Sequence, residues 1–208
     1  MSSMPMFANF NWQDIATAAV TLFFIMDPLG NVPVFNAVLA RFSTGRRALI
    51  VARELVLALL ILLGFLLAGN EILGFLSIGQ SSLSIAGGFL LFIISLRMIF
   101  PNPTSAEQTE FVEDPFLVPL AIPMVAGPST IAVLLLMSSR EPERIAEWSM
   151  ALVLAWAGST VLLVASPYLM SILGTRGSRA LERLMGMILV ILATQLLLNG
   201  VREFLQSL

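Results

Sequence analysis

Met26-Asp27-Pro28-Leu29-Gly30-Asn31-Val32-Pro33 decides how this chain is read. The stretch lies inside an apolar run from Ile15 to Leu39, longer than the roughly 20 residues a helix needs to cross a bilayer. Yet its centre holds a carboxylate, two prolines, a glycine and an asparagine. Pro28 and Pro33 cannot donate a helical hydrogen bond, and each crowds the preceding turn. Gly30 can adopt backbone angles that other residues avoid. The sequence therefore predicts a helix that breaks at membrane depth over 27–33 and restarts near Val32. Irregular backbone is tolerated at that depth only where protein or a wet cavity surrounds it. An ionisable residue there is a candidate for function by default.

Composition sets the class. Of 208 residues, 58% are hydrophobic and 12% are charged, and the mean hydropathy is +0.93. A soluble domain carries about 45–50% apolar and about 25% charged residues. The chain reads as an all-α polytopic membrane protein whose first partner is the lipid bilayer. Cys and His are absent, and every basic residue is Arg. Disulfides, thiolate chemistry and the commonest metal ligand are thereby excluded. A serine hydrolase finds no His or Lys to serve as base. An aspartyl site needs two carboxylates sharing one place, and only Asp27 lies clearly deep in a span. No enzyme activity, catalytic residue, metal or cofactor is expected. The arginines gather near span ends and form no cluster for nucleic acid. The first residues carry no basic n-region, so the first span is expected to act as its own uncleaved insertion signal.

Six spans follow along one transmembrane domain, 1–208. Span 1 covers about 14–40 and span 2 about 48–68. Residues 72–78 are too few to cross and read as an interfacial turn. Span 3 covers about 82–100, with Ala86-Gly87-Gly88 near its start, where small residues allow close helix approach. An acidic loop, 101–114, carries Glu107, Glu110, Glu113 and Asp114. Span 4, about 115–138, is interrupted by Pro119, Pro123 and Ala126-Gly127-Pro128-Ser129-Thr130. Spans 5 and 6 cover about 148–168 and 180–200. Gln195 and Asn199 in span 6 read as interhelical hydrogen bonders.

The halves, about 14–100 and 115–202, repeat in hydropathy and breakers. When Leu29-Gly30-Asn31 is laid on Ala126-Gly127-Pro128, Gly88 falls near Gly186. Three spans per half invert the second repeat, giving two inverted three-helix repeats with broken helices 1 and 4. Arg41, Arg46, Arg47, Arg53, Arg97, Arg176, Arg179 and Arg183 lie on one side, and Arg140, Arg144 and Arg202 on the other. The richer side is expected to be cytoplasmic, with both termini outside. Arg53-Glu54 then reads as a structural pair at the cytoplasmic interface, with a gate contact as the alternative.

Paired half-helix starts near Val32 and Ser129 would present unpaired N–H groups and partial positive charge inside the membrane, a setting suited to a carboxylate. Asp27 could hold an ammonium group or a coupling cation. The expected binding residues are Asp27, Gly30, Asn31, Gly127, Ser129 and Thr130, with Pro28, Pro33, Pro123 and Pro128 making the breaks. By themselves Ser129 and Thr130 read as helix caps rather than ligands, and Asn31 reads equally as a partner for freed carbonyls. A site with anionic and cationic ends fits a small zwitterionic solute. The expectation is a secondary transporter coupled to H⁺ or Na⁺, or an exchanger. A partner or assembly factor and a passive small-solute channel are the alternatives. Self-association into a homo-oligomer is compatible with the sequence.

The break motif at 26–33, followed by Pro119-Leu120-Ala121-Ile122-Pro123-Met124-Val125-Ala126-Gly127-Pro128, resembles the MarC-related family of bacterial inner-membrane proteins. Val51-Ala52-Arg53-Glu54-Leu55, Ile85-Ala86-Gly87-Gly88, Arg97-Met98-Ile99-Phe100-Pro101 and Ala180-Leu181-Glu182-Arg183-Leu184-Met185-Gly186 are similar to its YhgN-like branch. The resemblance spans essentially the whole chain. It implies a six-span, multi-pass inner-membrane protein related to the SnatA-type transporters, and hence a substrate of the glycine, alanine or serine type.

Overall fold

The first helix starts where a cap allows it. In the computed structural model, which describes residues 10–39, 44–100 and 125–207, the Asn11 side-chain oxygen accepts from the N–H of Gln13 at 3.2 Å. That bond satisfies one of the four orphan donors at a helix start and opens α1, Trp12–Met26. The chain continues as α2, Pro28–Leu39, α3, Thr44–Leu67, α4, Gly69–Leu76, and α5, Gln80–Ile99. After the undescribed stretch come α6, Pro128–Arg140, α7, Ile145–Val164, and α8, Ser166–Gln206. No strand occurs among the described residues.

Among the described residues, five stretches are long and apolar enough to cross a membrane: Trp12–Pro33, Leu49–Leu67, Gln80–Ile99, Pro142–Val164 and Arg176–Gln206. The expected span 4 is described only from residue 125, where it yields the 13-residue α6. Pro119, Pro123, Arg41, the side chains of Arg46 and Arg47, and the acidic loop 101–114 lie outside the described residues. One local expectation is corrected. The interfacial turn at 72–78 is a helix, α4, closed by Ser77 in the left-handed region (φ 52°). Between spans 5 and 6 the chain stays helical from Ser166, apart from Gly174, whose φ of 61° and ψ of −177° kink α8.

Ion pairs and polar contacts gather one set of helix ends. Arg144, at the start of α7, pairs with Asp14, at the start of α1, at 2.8 Å. Arg140, at the end of α6, pairs with Glu203, near the end of α8. Gln80, which opens α5, donates to the carbonyl of Ser139 at 2.9 Å. So α1, α5 and α7 run away from this end, while α6 and α8 run toward it. Val20, Leu60, Phe89, Val161 and Ile191 are exposed on the bundle surface. An apolar surface of this extent is what a bilayer covers.

The most extensive packing is antiparallel, between α5 and α8. Three glycines let the two backbones nearly touch. A Cβ on Gly88 would lie 2.9 Å from the backbone nitrogen of Leu197, one on Gly186 3.0 Å from the carbonyl oxygen of Ser95, and one on Gly200 2.9 Å from the nitrogen of Ile85. Ser84 adds a hydrogen bond across the seam, donating to the Leu196 carbonyl at 3.1 Å. Lipid tails are as apolar as leucine, so close packing and such bonds hold helices together here. Between α7 and α3, Trp156 Nε1 donates to the Leu55 carbonyl at 2.8 Å.

Gly186→Ala should therefore destabilise the detergent-solubilised protein by about 1–3 kcal/mol through overpacking. Gly64→Ala, whose Cβ would meet nothing within 4 Å, should leave stability unchanged or raise it by about 0.5–1 kcal/mol. The unfolding midpoints of the two variants check this.

Candidate functional site

Asp27 both ends α1 and begins α2. It sits in the left-handed region, φ 45° and ψ 57°, which Asp tolerates better than most residues. Its N–H donates to the carbonyls of Phe23 and Phe24 at 3.2 and 3.1 Å, closing α1. Its Oδ1 accepts from the N–H of Gly30 at 3.1 Å, capping α2. Asn31 Nδ2 donates back to the carbonyl of Met26 at 3.2 Å, covering one of the acceptors that the end of α1 leaves open. Asp27, Gly30 and Asn31 are thus one hydrogen-bonded unit.

Gly30 is dictated by proximity. A Cβ there would lie 2.1 Å from Asp27 Oδ2 and 2.7 Å from Met98 Cε, so any side chain would displace the carboxylate. The expected restart near Val32 is corrected: α2 begins at Pro28, and Pro33 lies inside it. The reason is the cap. Proline suits the first position of a helix, where its missing N–H leaves no bond unmade, and Asp27 satisfies the donor two residues further on. The start of α2 is consequently occupied by the protein's own carboxylate, which the helix dipole favours.

The start of α6 differs. Gly127, in extended geometry (φ −70°, ψ 157°), precedes Pro128 and offers no side chain as a cap. Pro128 has no N–H, so the backbone donors of the first turn are those of Ser129 and Thr130. Both residues are buried, at 3% and 1% exposure. Just ahead of them Val125 and Ala126 belong to the same buried apolar cluster as Met26 and Met98, which border the Asp27 break. Among the described residues no hydrogen bond joins the Asp27 unit to Ser129 or Thr130. Pro123 lies outside the described residues.

Two further carboxylates emerge. Glu54 is fully buried. Its Oε1 accepts from Arg53 Nε and Nη2 at 3.1 and 2.9 Å, while its buried Oε2 has no partner among the described residues. The expected Arg53–Glu54 pair is present, with Arg53 partly exposed and Glu54 in the interior. One residue along a helix turns the side chain by about 100°, onto the buried stripe of Val51, Leu55, Ala58, Leu62 and Leu66. The spacing carries that signal, but α3 is apolar all round, so the stripe does not stand out. Glu182 on α8 is the second, and it is partly buried. Gln195 and Asn199, expected to bond between helices, bond each other at 3.0 Å along α8, because their four-residue spacing makes them neighbours on one face.

Helices with exposed apolar surfaces, several of them long and apolar enough to cross a bilayer, mark an integral membrane protein. The chain belongs to the MarC family of integral membrane proteins, whose model matches residues 12–205. It is 47% identical to the UPF0056 inner membrane protein YhgN of Escherichia coli strain K12, over 93% of this chain and 99% of that protein. A UPF0056 membrane protein of Buchnera aphidicola is 43% identical, over 92% and 98% of the respective chains. One from the archaeon Pyrococcus abyssi is 31% identical, over 90% and 94%. No solved structure matches.

The capping role of Asp27 has its own test. Asp27→Asn keeps an acceptor for the Gly30 N–H and should change stability by less than about 0.5 kcal/mol. Asp27→Ala removes the cap and should cost about 0.5–2 kcal/mol. Thermal unfolding of the purified variants, followed by circular dichroism, separates the two.

Proposed function

We propose that this chain is a secondary transporter of a small neutral amino acid of the glycine, alanine or serine type, coupled to H⁺ or Na⁺. It would cross the membrane six times as two inverted three-helix repeats, with both termini outside. The observation that carries the reading is the buried carboxylate at a helix break inside an apolar stretch. The 15 residues of α1 set Asp27 roughly 22 Å along the helix axis, within a hydrocarbon core about 30 Å thick. Among the described residues no arginine pairs with it. A lone carboxylate at such depth marks a path for an ion, a proton or a charged substrate group.

The roles divide by electrostatics. With Asp27 occupying the start of α2, the anion-accepting end falls to α6, where the N–H groups of Ser129 and Thr130 and their hydroxyls would take the substrate carboxylate. Asp27 would take its ammonium group or the coupling cation. Gly30 and Gly127 keep both places free of side chains, and Asn31 holds the break open. Paired discontinuous helices of this kind are where transporters bind small solutes.

Thermal stabilisation of the purified protein by an amino-acid panel tests the reading. A ligand at a hundred times its Kd adds about 2.7 kcal/mol. Glycine, alanine or serine should shift the unfolding midpoint, and Asp27→Asn should abolish the shift while the fold stays intact. Ser129→Ala should weaken it. No shift with any amino acid at millimolar concentration, at several pH values with and without Na⁺, would leave the partner-protein and other-solute readings standing instead.

A further inference from the structure

Met98, near the end of α5, has its stem against one helix and its tip against another. A Cβ on Gly186 of α8 would lie 3.0 Å from Met98 Cβ, and a Cβ on Gly30 of α2 would lie 2.7 Å from Met98 Cε. The stem thus passes α8 where α8 carries no side chain, and the tip reaches the first turn of α2. The residue is 8% exposed. Methionine fills irregular gaps in many cores, and burial alone would make Met98 one more example. What its tip touches sets it apart.

The tip lies beside the carboxylate of Asp27. Asp27 Oδ2 is closer still to the point over Gly30 that Met98 Cε approaches, so the methyl group and the oxygen are neighbours across that glycine. The two oxygens of Asp27 differ in their surroundings. Oδ1 accepts from the Gly30 N–H at 3.1 Å. Oδ2 accepts from none of the described residues, although Asp27 is only 9% exposed. Polar atoms taken out of water are costly without hydrogen-bond partners. Yet the place next to Oδ2 over Gly30 is held by a methyl group, which has no N–H or O–H to give. An ammonium group, a coupling cation or a water that approaches Oδ2 from that side needs the room the methyl group occupies.

We propose that Met98 is a specificity-determining residue of the Asp27 site: its methyl group covers Oδ2 and limits by size what can bond there. The inference rests on the reading of Asp27 as the group that takes an ammonium or a cation, and it names the side chain that controls access to it. A thioether suits the part. Methionine is unbranched, with three rotatable bonds, so its tip can swing aside while its stem stays in place. The fold fixes the stem: the Ser95 carbonyl oxygen and Met98 Cβ both lie 3.0 Å from the point where a Gly186 side chain would start. A small cation or ammonium group displaces the tip slightly, and a bulky one must displace it altogether.

Carbodiimide labelling reads the cover without requiring transport. A carbodiimide adds to a protonated carboxyl group and rearranges to a stable N-acylurea, which peptide mass spectrometry assigns to a residue. The full-length chain in membranes is treated at one fixed pH with diisopropylcarbodiimide or with the bulkier dicyclohexylcarbodiimide, beside Met98→Ala and Met98→Leu. Neither substituted side chain reaches as far as Cε, and leucine keeps most of the volume, so the core stays filled. Asp27 labelling should rise at least tenfold in Met98→Ala and to a lesser degree in Met98→Leu. The rise should be larger for the bulkier reagent. Glu54, fully buried on α3, is the internal reference, and its labelling should not change.

Equal labelling of Asp27 in the three chains, or none in any of them, overturns the cover. A rise that ignores reagent size overturns the size limit. A rise matched at Glu54 also counts against the proposal, because it reports a loosened bundle rather than an uncovered oxygen. Thermal stabilisation then separates the cover from the transport reading. If glycine and L-alanine bind, Met98→Ala should raise the affinity for L-valine and L-leucine relative to glycine at least tenfold, and an unchanged size preference overturns the proposal. If the labelling responds as expected and no amino acid shifts the unfolding midpoint of any chain, the amino-acid transporter reading fails and the cover over Asp27 stands.

Discussion

A backbone inside an apolar layer has no water to bond to, so a helix broken there must satisfy its loose ends from its own side chains. Asp27 and Asn31 do this. The carboxylate takes a donor from the start of α2, the carboxamide covers an acceptor at the end of α1, and the Asp27 N–H finishes the earlier helix. Gly30 follows from the same arrangement, because the carboxylate lies where its side chain would be. The break is therefore a stable feature of the fold. Its chemistry is available only to the extent that Asp27 can give up or share one cap bond.

The second support is the α5–α8 seam. Gly88, Gly186 and Gly200 bring two long helices to near-contact, and α2 packs against α8 beside them. Met98 links the two supports: its Cε lies against Gly30, and its Cβ lies against Gly186. A change in how α5 meets α8 would thus be felt at Asp27 through one side chain. Gly88 and Gly186, which fall near each other in the repeat alignment, lie in the same antiparallel seam.

Much of this was legible in the sequence, for identifiable reasons. Composition declared the membrane, and runs of about 20 apolar residues match the five candidate spans among the described residues. The cluster Asp27-Pro28-Leu29-Gly30 located the break, since proline and glycine act on the backbone locally. Two prolines in one stretch do not themselves say which opens the second helix, and it starts at Pro28 and not near Val32. Only a cap distinguishes a proline that opens a helix from one inside it, and the cap depends on the left-handed turn at Asp27. Burial was the harder quantity. In α3 nearly every residue is apolar, so no polar face reveals which side meets lipid, and Glu54 could be assigned to the bundle interior only from three-dimensional packing. The Arg144 cluster joins Asp14 to residues some 130 positions later, a pairing that no local pattern encodes.

The carboxylates sit at both ends of α1. In a chain with 12% charged residues, Asp14 lies beside Arg144 at its start and Asp27 lies at the break that ends it. Arg144 is held by three carboxylates at once. Field lines between low-dielectric walls concentrate the effect of such charges, so they attract a cation or an ammonium group and repel an uncompensated anion. On the transport reading proposed above, a carboxylate-bearing solute would have to bring its own positive charge, either as an ammonium group or as a co-bound cation. That condition would favour zwitterions and ion-coupled solutes over simple acids before any contact with Ser129 or Thr130 is made.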